Sequence, residues 1–275
     1  MEIVKASGEK EPFSKNKFCV SLKAAGAPSE LVDDVCSKIG EDIKPGMTTT
    51  EIFRKASQYL MKDDFVVAAN YSLKRGIAAL GPAGFNFEKF LSVALSSLGY
   101  KVKLNQMMKG RCVTHEVDIV AEKGNEHFLV EAKYHNGSGI KTHIDVAMYA
   151  DARLQDIAFI EERKESFRNH HKMWLITNTK FTKTAEKYAR CRNLKMTSWR
   201  HPAKEGLKDI ILKNKLYPIT VLPSVNKSAQ EEFVKHDMML ARDLAPYSAL
   251  DLIRIFNFDK QRADKIIKEV QVLIY

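Results

Sequence analysis

A chain of 275 residues that is 45% apolar, with Gly and Pro scattered through it, has material for two or three folded domains. No apolar run nears the roughly 18 residues of a membrane helix, and the opening MEIVKASGEK lacks the apolar stretch of a signal peptide, so a cytoplasmic protein with no membrane partner is expected. The net charge of +10 is unevenly placed: residues 1–80 hold 12 basic against 11 acidic side chains, 81–200 hold 20 against 13, and 201–275 hold 12 against 10. An excess on the middle segment suits a polyanionic partner such as DNA, although a protein can be basic without one. Cys19, Cys36, Cys112 and Cys191 lie far apart with no CxxC, which argues against a disulfide framework or a zinc knuckle and predicts buried thiols.

The N-terminal segment opens on a short alternating strand at Ile3-Val4-Lys5, a turn at Ser7-Gly8-Glu9-Lys10, and Glu11-Pro12-Phe13. Ser14 is an expected N-cap for a helix over 15–25 that carries Lys17 on its first turn. A second helix starts at Pro28-Ser29, Thr48 to Thr50 cap a third over 51–61, and Asp63-Asp64 precede a fourth that runs to Ala79. The pattern is a small hairpin plus four helices.

These residues resemble the ATP-cone, a regulatory nucleotide-binding module of ribonucleotide reductases and their repressors. The resemblance rests on Ile3-Val4-Lys5, Gly8, Glu11-Pro12-Phe13, Lys17, the Thr-rich turn before Glu51-Ile52, and Ala69-Asn70-Tyr71 with Lys74-Arg75, and it covers nearly all of 1–80. It implies that Lys5, Glu11 and Lys17 stand at a site for ATP or dATP, with the lysines on the phosphates. A lysine near a helix N-terminus adds its charge to a dipole that already favours phosphate. The family usually has arginine after the hairpin lysine and this chain has Ala6, which leaves open a cone that only mediates protein contacts.

Gly81-Pro82-Ala83-Gly84 is a compact break, and a domain boundary is expected there. Apolar residues at Phe87, Phe90, Leu91, Ala94, Leu95 and Leu98 repeat with the period of a helix packed on a sheet, and Gly99 stops it. A strand over 100–104 and a basic loop over 105–113, with Lys109 and Arg111, come next. Two apolar, β-branched runs then flank Gly124-Asn125, a dipeptide suited to a tight hairpin turn. A two-residue loop places Lys123 opposite Glu126 and Asp118 opposite Glu131, with Glu131 and Lys133 on one face of their strand. Opposed residues on paired strands have Cβ atoms about 5 Å apart, so the two carboxylates repel unless a cation lies between them, and their oxygens suit Mg²⁺ or Mn²⁺. Lys133 beside such a cation can orient a water or stabilise phosphorane charge. A solvated hairpin has the same spacing; against it stands the cost of ionisable groups inside an apolar strand. A bulge would shift the register by one.

Here the sequence resembles the PD-(D/E)xK nucleases, with VDIV and VEAK as half-motifs, and among them the Mrr-like restriction endonucleases, whose first helix and strand GFNFEKFLSVALSSLGYKV is similar to. The resemblance covers about 84–199. It implies Asp118 and Glu131 as metal ligands, Lys133 as catalytic lysine, and Glu88 as an auxiliary helical acid. The family often has a glutamine in the helix after the lysine strand; none is placed here, Gln155 lying too far along. Downstream come a turn at Asn136-Gly137-Ser138-Gly139, a helix over 145–160, an apolar strand over 173–177, a basic helix over 182–191 and a strand over 195–199. The expected class is α/β, a mixed-sheet restriction-endonuclease-like core. His115, His127, His135, His143 and His170-His171 show no metal-ligand spacing, and surface or supporting roles are expected for them.

The segment 201–275 reads as mostly helical, with an extended piece over 217–221 and two short amphipathic helices that weakly resemble a helix-hairpin-helix unit. Asn257-Phe258-Asp259 replaces the expected Gly-x-Gly, which favours packing or dimerisation over phosphate capture. The chain therefore reads as three domains, 1–80, 84–200 and 201–275. Two functions fit: a nucleotide-regulated, Mg²⁺-dependent DNA endonuclease that forms homo-oligomers, or a non-catalytic, nucleotide-responsive DNA-binding regulator on a nuclease scaffold.

Overall fold

The computed structural model describes residues 1–5, 7–80, 84–137, 139–161 and 171–275. The expectations that fall on Ala6, Gly81-Pro82-Ala83, Ser138 and His170 lie outside them. Two compact units divide the chain, one made of residues 1–73, 221–224 and 245–275, the other of 74–220 and 225–244.

In the first unit, strands β1 (Glu2–Val4) and β2 (Lys10–Pro12) form the expected hairpin, with Ile3 paired to Glu11. Helices α1 (Lys15–Lys23), α2 (Ser29–Asp42) and α3 (Thr49–Asp63) follow, then α4 (Phe65–Ala78), whose last residues belong to the second unit. The cap residues fix where these helices start. Ser14 Oγ accepts the Lys17 N–H at 3.3 Å, and Thr48 with Glu51 forms a reciprocal box at the start of α3. The core gathers Ile3, Phe18, Leu22, Val32, Val35, Ile39, Ile52 and Leu60. The cysteine expectation fails here and elsewhere: Cys19 and Cys36 are joined by a disulfide, while Cys112 and Cys191 are exposed. Linear separation gave no hint that α1 and α2 pack with these two residues facing, their Cα atoms 5.9 Å apart.

The C-terminal helices α10 (Ala249–Phe256) and α11 (Lys260–Ile274) belong to this unit. With 15 residues α11 is not short. Asn257 takes the left-handed turn at φ 52°, a conformation asparagine tolerates, and the Asp259 carboxylate accepts the Arg262 N–H at 2.9 Å. A carboxylate thus already occupies the start of α11.

The second unit is a five-stranded mixed sheet in the order β3-β4-β5-β7-β9. Strands β3 (Lys101–Lys109), β4 (Thr114–Lys123) and β5 (Glu126–Lys133) are antiparallel, whereas β7 (His171–Thr177) and β9 (Lys195–Thr197) run parallel to β5. Helix α5 (Gly84–Ser97) covers one face; Phe87 and Phe90 are fully buried, and each contributes roughly 2–3 kcal/mol by leaving water. Helices α6 (Ile144–Glu161) and α7 (Lys183–Cys191) cover the other, where Leu129, Met173 and Leu175 meet Ala147, Ala150, Ile157, Ala185 and Ala189. A two-stranded parallel sheet of β6 (Lys141–Thr142) and β8 (Lys180–Phe181) was too short for its pattern to be read. The basic loop over 105–113 is corrected: the strand continues to Lys109, and the turn is only Gly110 to Val113. Alternating exposed and half-buried residues carry β3 through Asn105, which bends at φ 50° without ending it.

Helices α8 (Leu207–Lys213) and α9 (Lys227–Lys235) complete the second unit. The extended piece over 217–221 is corrected to a bridge between Pro218 and Leu240 followed by a 3-10 turn, Ile219–Val221. No described helix is long and apolar enough to cross a membrane.

Candidate active site

The hairpin register follows the Gly124-Asn125 turn. Gly124 adopts φ 57°, as such a turn requires, and Lys123 pairs with Glu126 and Ile119 with Val130. Regular pairing stops there, one step short of Asp118 and Glu131. On the other side of β4, the ladder with β3 skips Asp118 and the bent Asn105. Val117 and Val120, three residues apart, join the same cluster beneath α6, so strict alternation is interrupted at Asp118. The interruption turns the Asp118 carboxylate toward β5, where it accepts the Ala132 N–H at 2.7 Å.

Glu131 is 16% exposed and receives the Arg153 guanidinium on its Oε2 at 2.6 Å. Burial raises the pKa of Glu131, and Asp118 raises it further, against the opposing charge of Arg153. Asp118 is also raised, first by burial. Glu88, on α5, is pushed up to about 7 by burial and then by Asp118, Glu116 and Glu131. Three predicted acids therefore share one electrostatic environment in which ionising all of them is costly. Lys133 is exposed at the end of β5, not inside a buried strand as its neighbours suggested, yet its charge reaches both Asp118 and Glu131.

Among the described residues, no group of three or more His, Cys, Asp or Glu side chains is arranged to hold a metal ion. Two crowded carboxylates do suit a hard divalent cation of the Mg²⁺ kind, which takes one or two protein carboxylates and fills its other positions with water or phosphate oxygens. Asp118 and Glu131 would hold it. The raised pKa values of all three acids are the strain such a charge would relieve.

Sequence reasoning missed two residues of α6. Arg153 is one. Asp156, one turn further on, accepts N–H groups of Cys112 at 2.9 Å and Val113 at 3.3 Å, and its Oδ2 lies 2.8 Å from His115 Nε2. These donors, His115 first, hold its pKa well below the usual carboxylate range. The Arg111 N–H reaches the Asp156 carbonyl at 3.0 Å, and the Arg111 guanidinium stacks 4.2 Å from the Phe159 ring. The turn carrying Arg111, next to Lys109, is thus built onto α6. Gly110 is required there, because a Cβ would collide with the Asp156 carboxylate and lie 2.7 Å from the Val113 carbonyl oxygen. Gly110→Ala is expected to cost about 1–3 kcal/mol of stability in chemical denaturation; a change below about 0.5 kcal/mol would mean that Asp156 swings aside freely. A periodicity search finds the apolar stripe of α6, and the acid and base embedded in it carry no separate signal.

The other predicted residues are placed as follows. Gln155 is exposed and bonded to the Asp151 side chain. His135 bonds Thr142 at 2.9 Å, and His127 bonds Glu122 at 2.9 Å and contacts His171, so these three histidines serve hydrogen-bond networks. In the first unit, Lys5 Nζ lies 2.9 Å from Glu11 and 3.1 Å from Glu9, while Lys17 is exposed on the first turn of α1.

Residues 1–78 match the ATP cone domain, residues 82–201 the Mrr-type restriction endonuclease domain, and residues 217–274 the AF1548-like C-terminal domain. An uncharacterized protein of Archaeoglobus fulgidus is 33% identical over 180 residues, which is 66% of this chain and 97% of that protein. The chain belongs to the AF1548-like family. A crystal structure of the protein of unknown function AF1548 superposes with a TM-score of 0.56 at 31% identity, over 69% of this chain and 97% of that one. This AF1548-like protein therefore combines a nuclease-type domain with a nucleotide-binding-type domain, and about a third of it lies outside the match to its relative.

Proposed function

We propose that this chain is a divalent-metal-dependent endonuclease that hydrolyses DNA phosphodiester bonds under the control of ATP or dATP. The observation that supports it most is the convergence of Asp118, Glu131 and the Lys133 charge at one end of the sheet, inside the segment that matches restriction endonucleases. In this reading residues 1–80 are the sensor, 84–200 the cutting domain and 201–275 a helical packing or dimerisation element.

Asp118 and Glu131 would hold a Mg²⁺ or Mn²⁺ ion, which would supply Lewis acidity and a more acidic water. The Asp118 carboxylate is fixed by the Ala132 N–H, so one ligand is oriented by backbone rather than by a flexible partner. Lys133 directs its ammonium at the attacked phosphate or the attacking water. Glu88, with a pKa near neutrality, is suited to accept or release a proton there. Lys109 at the end of β3 and Arg111 on the turn pinned by Asp156 contact the phosphate backbone.

The test is nicking of supercoiled plasmid with Mg²⁺ or Mn²⁺ and its suppression by EDTA. A purified chain that binds DNA but never cuts it would leave the alternative, a nucleotide-responsive DNA-binding regulator. Lys133→Arg is expected to lower the rate at least about tenfold, or 1.4 kcal/mol of barrier, because a planar guanidinium cannot replace a compact ammonium beside a bound water. Unchanged kinetics would return Lys133 to a solvated strand end.

A further inference from the structure

We propose that Arg153 is an exchangeable counter-ion of the candidate active site: it neutralises Glu131 while no divalent cation is bound and, once displaced, turns to the DNA phosphate. The inference rests on the nuclease reading above and adds a residue and a regulatory contact to it.

Arg153 occupies an unusual place for a cation. Its residue is only 9% exposed, its Nη1 lies 2.6 Å from Glu131 Oε2, and its Nε is buried with no hydrogen-bond partner among the described residues. A purely structural arginine at that depth would be expected to have its donors satisfied, since an unpaired buried N–H costs about 1–3 kcal/mol. Among the described residues the group thus keeps one N–H donor beyond its ion pair with Glu131. The way out is also present. The Tyr149 ring, one turn earlier on α6 and 59% exposed, lies 4.8 Å from the guanidinium carbon, so the guanidinium is bracketed by a buried carboxylate on one side and a solvent-facing aromatic on the other. Arginine stacks on such faces and pairs with phosphate through two parallel N–H donors.

The chemistry makes the exchange directional. Arg153 and a divalent cation would share the Glu131 carboxylate, whose Oε2 Arg153 already holds, and two cations at one carboxylate repel each other. A cation would therefore bind more weakly than the two carboxylates alone would allow, and Arg153, loosened from Glu131, would be left beside the Tyr149 ring and able to take a phosphate. Metal loading and phosphate engagement become one event, which protects DNA from a half-assembled site.

The first test needs no metal. In EDTA, Glu131→Gln and Asp118→Asn remove the same charge, but only Glu131→Gln removes the carboxylate that Arg153 pairs with directly, so it loosens Arg153 more. Glu131→Gln is expected to tighten binding of a labelled DNA duplex about tenfold more than Asp118→Asn does, the value of one arginine–phosphate contact, and this excess is expected to vanish when Arg153→Gln is added. Equal tightening by the two variants, or an excess that survives Arg153→Gln, overturns the proposal, as does a failure of all these chains to bind DNA. Thermal melting checks the fold of each. Should Arg153→Gln not fold, Arg153→Lys keeps the charge and loses the planar fork, and the excess should shrink with it; an undiminished excess counts against the proposal.

The second test is Mn²⁺ binding by calorimetry without DNA. Arg153→Gln should bind Mn²⁺ about fivefold or more tightly than the unsubstituted chain, because a competing charge is gone. Unchanged or weaker binding would make Arg153 a structural prop while leaving the nuclease reading standing. A chain that takes up Mn²⁺ with the expected gain in Arg153→Gln, yet leaves plasmid uncut, overturns the nuclease reading and keeps the exchange.

Discussion

Asp118→Ala is expected to abolish metal-dependent cleavage, a loss of about a thousandfold or more, while DNA binding persists or tightens. The rate loss follows because one of two carboxylate ligands disappears, and a bound metal contributes several kcal/mol of charge stabilisation in such reactions. Binding persists because a negative charge facing the phosphates has gone. The substitution has a structural cost as well, since the Ala132 N–H loses its acceptor at 2.7 Å, and a buried donor left unpaired costs about 1–3 kcal/mol. Asp118→Asn separates the two effects: it retains an oxygen for Ala132 and lowers the ligand charge. If Asn restores stability but not cutting, the carboxylate is needed as a ligand. Plasmid nicking beside a mobility-shift titration reads both quantities, and a near wild-type rate in Asp118→Ala would remove Asp118 from the site.

The hairpin was legible because its turn is chemically specific. Asn following Gly at a tight loop fixes the register from Lys123–Glu126 to Ile119–Val130 before any long-range contact is known, but not the expected opposition of Asp118 and Glu131, which lies one step beyond the last pair. Helix starts at Ser14 and Thr48 were legible for a similar reason, each side chain capping a backbone N–H nearby. Arg153 and Asp156 were not. Their partners stand 22 and 41 residues away, Glu131 on β5 and His115 on β4, and it is the packing of α6 across the sheet that brings them together. The Cys19–Cys36 pairing failed in the same way, as did the extent of β3, whose mixed polar pattern looks like a loop until its pairing with β4 is seen. Local chemistry was readable from the sequence. What required the structure was the side of each element that faces another.

The nucleotide site makes the second large prediction. Lys17→Ala is expected to lower ATP or dATP affinity about tenfold or more, the loss of one charge-assisted phosphate contact, and Lys5→Ala is expected to lower it less. The asymmetry comes from the carboxylates. Lys5 already lies 2.9 Å from Glu11 and 3.1 Å from Glu9, and these two raise its pKa, Glu11 most, so a phosphate must compete for an ammonium that is engaged. Lys17 is exposed on the first turn of α1, a turn with no acidic side chain and with Ser14 as its cap, where the helix dipole adds to its charge. A nucleotide can influence cutting only through a preference for one conformation or oligomer over another, with couplings of about 1–3 kcal/mol. The expected order of events on adding nucleotide to the full chain is binding, then a change of oligomeric state, then a change in plasmid nicking. Calorimetry and light scattering at matched concentrations follow the first two. If neither ATP nor dATP binds at millimolar concentration, the sensor role falls; if both bind and Lys5→Ala loses more than Lys17→Ala, the phosphates sit over the β1–β2 hairpin and not at the start of α1.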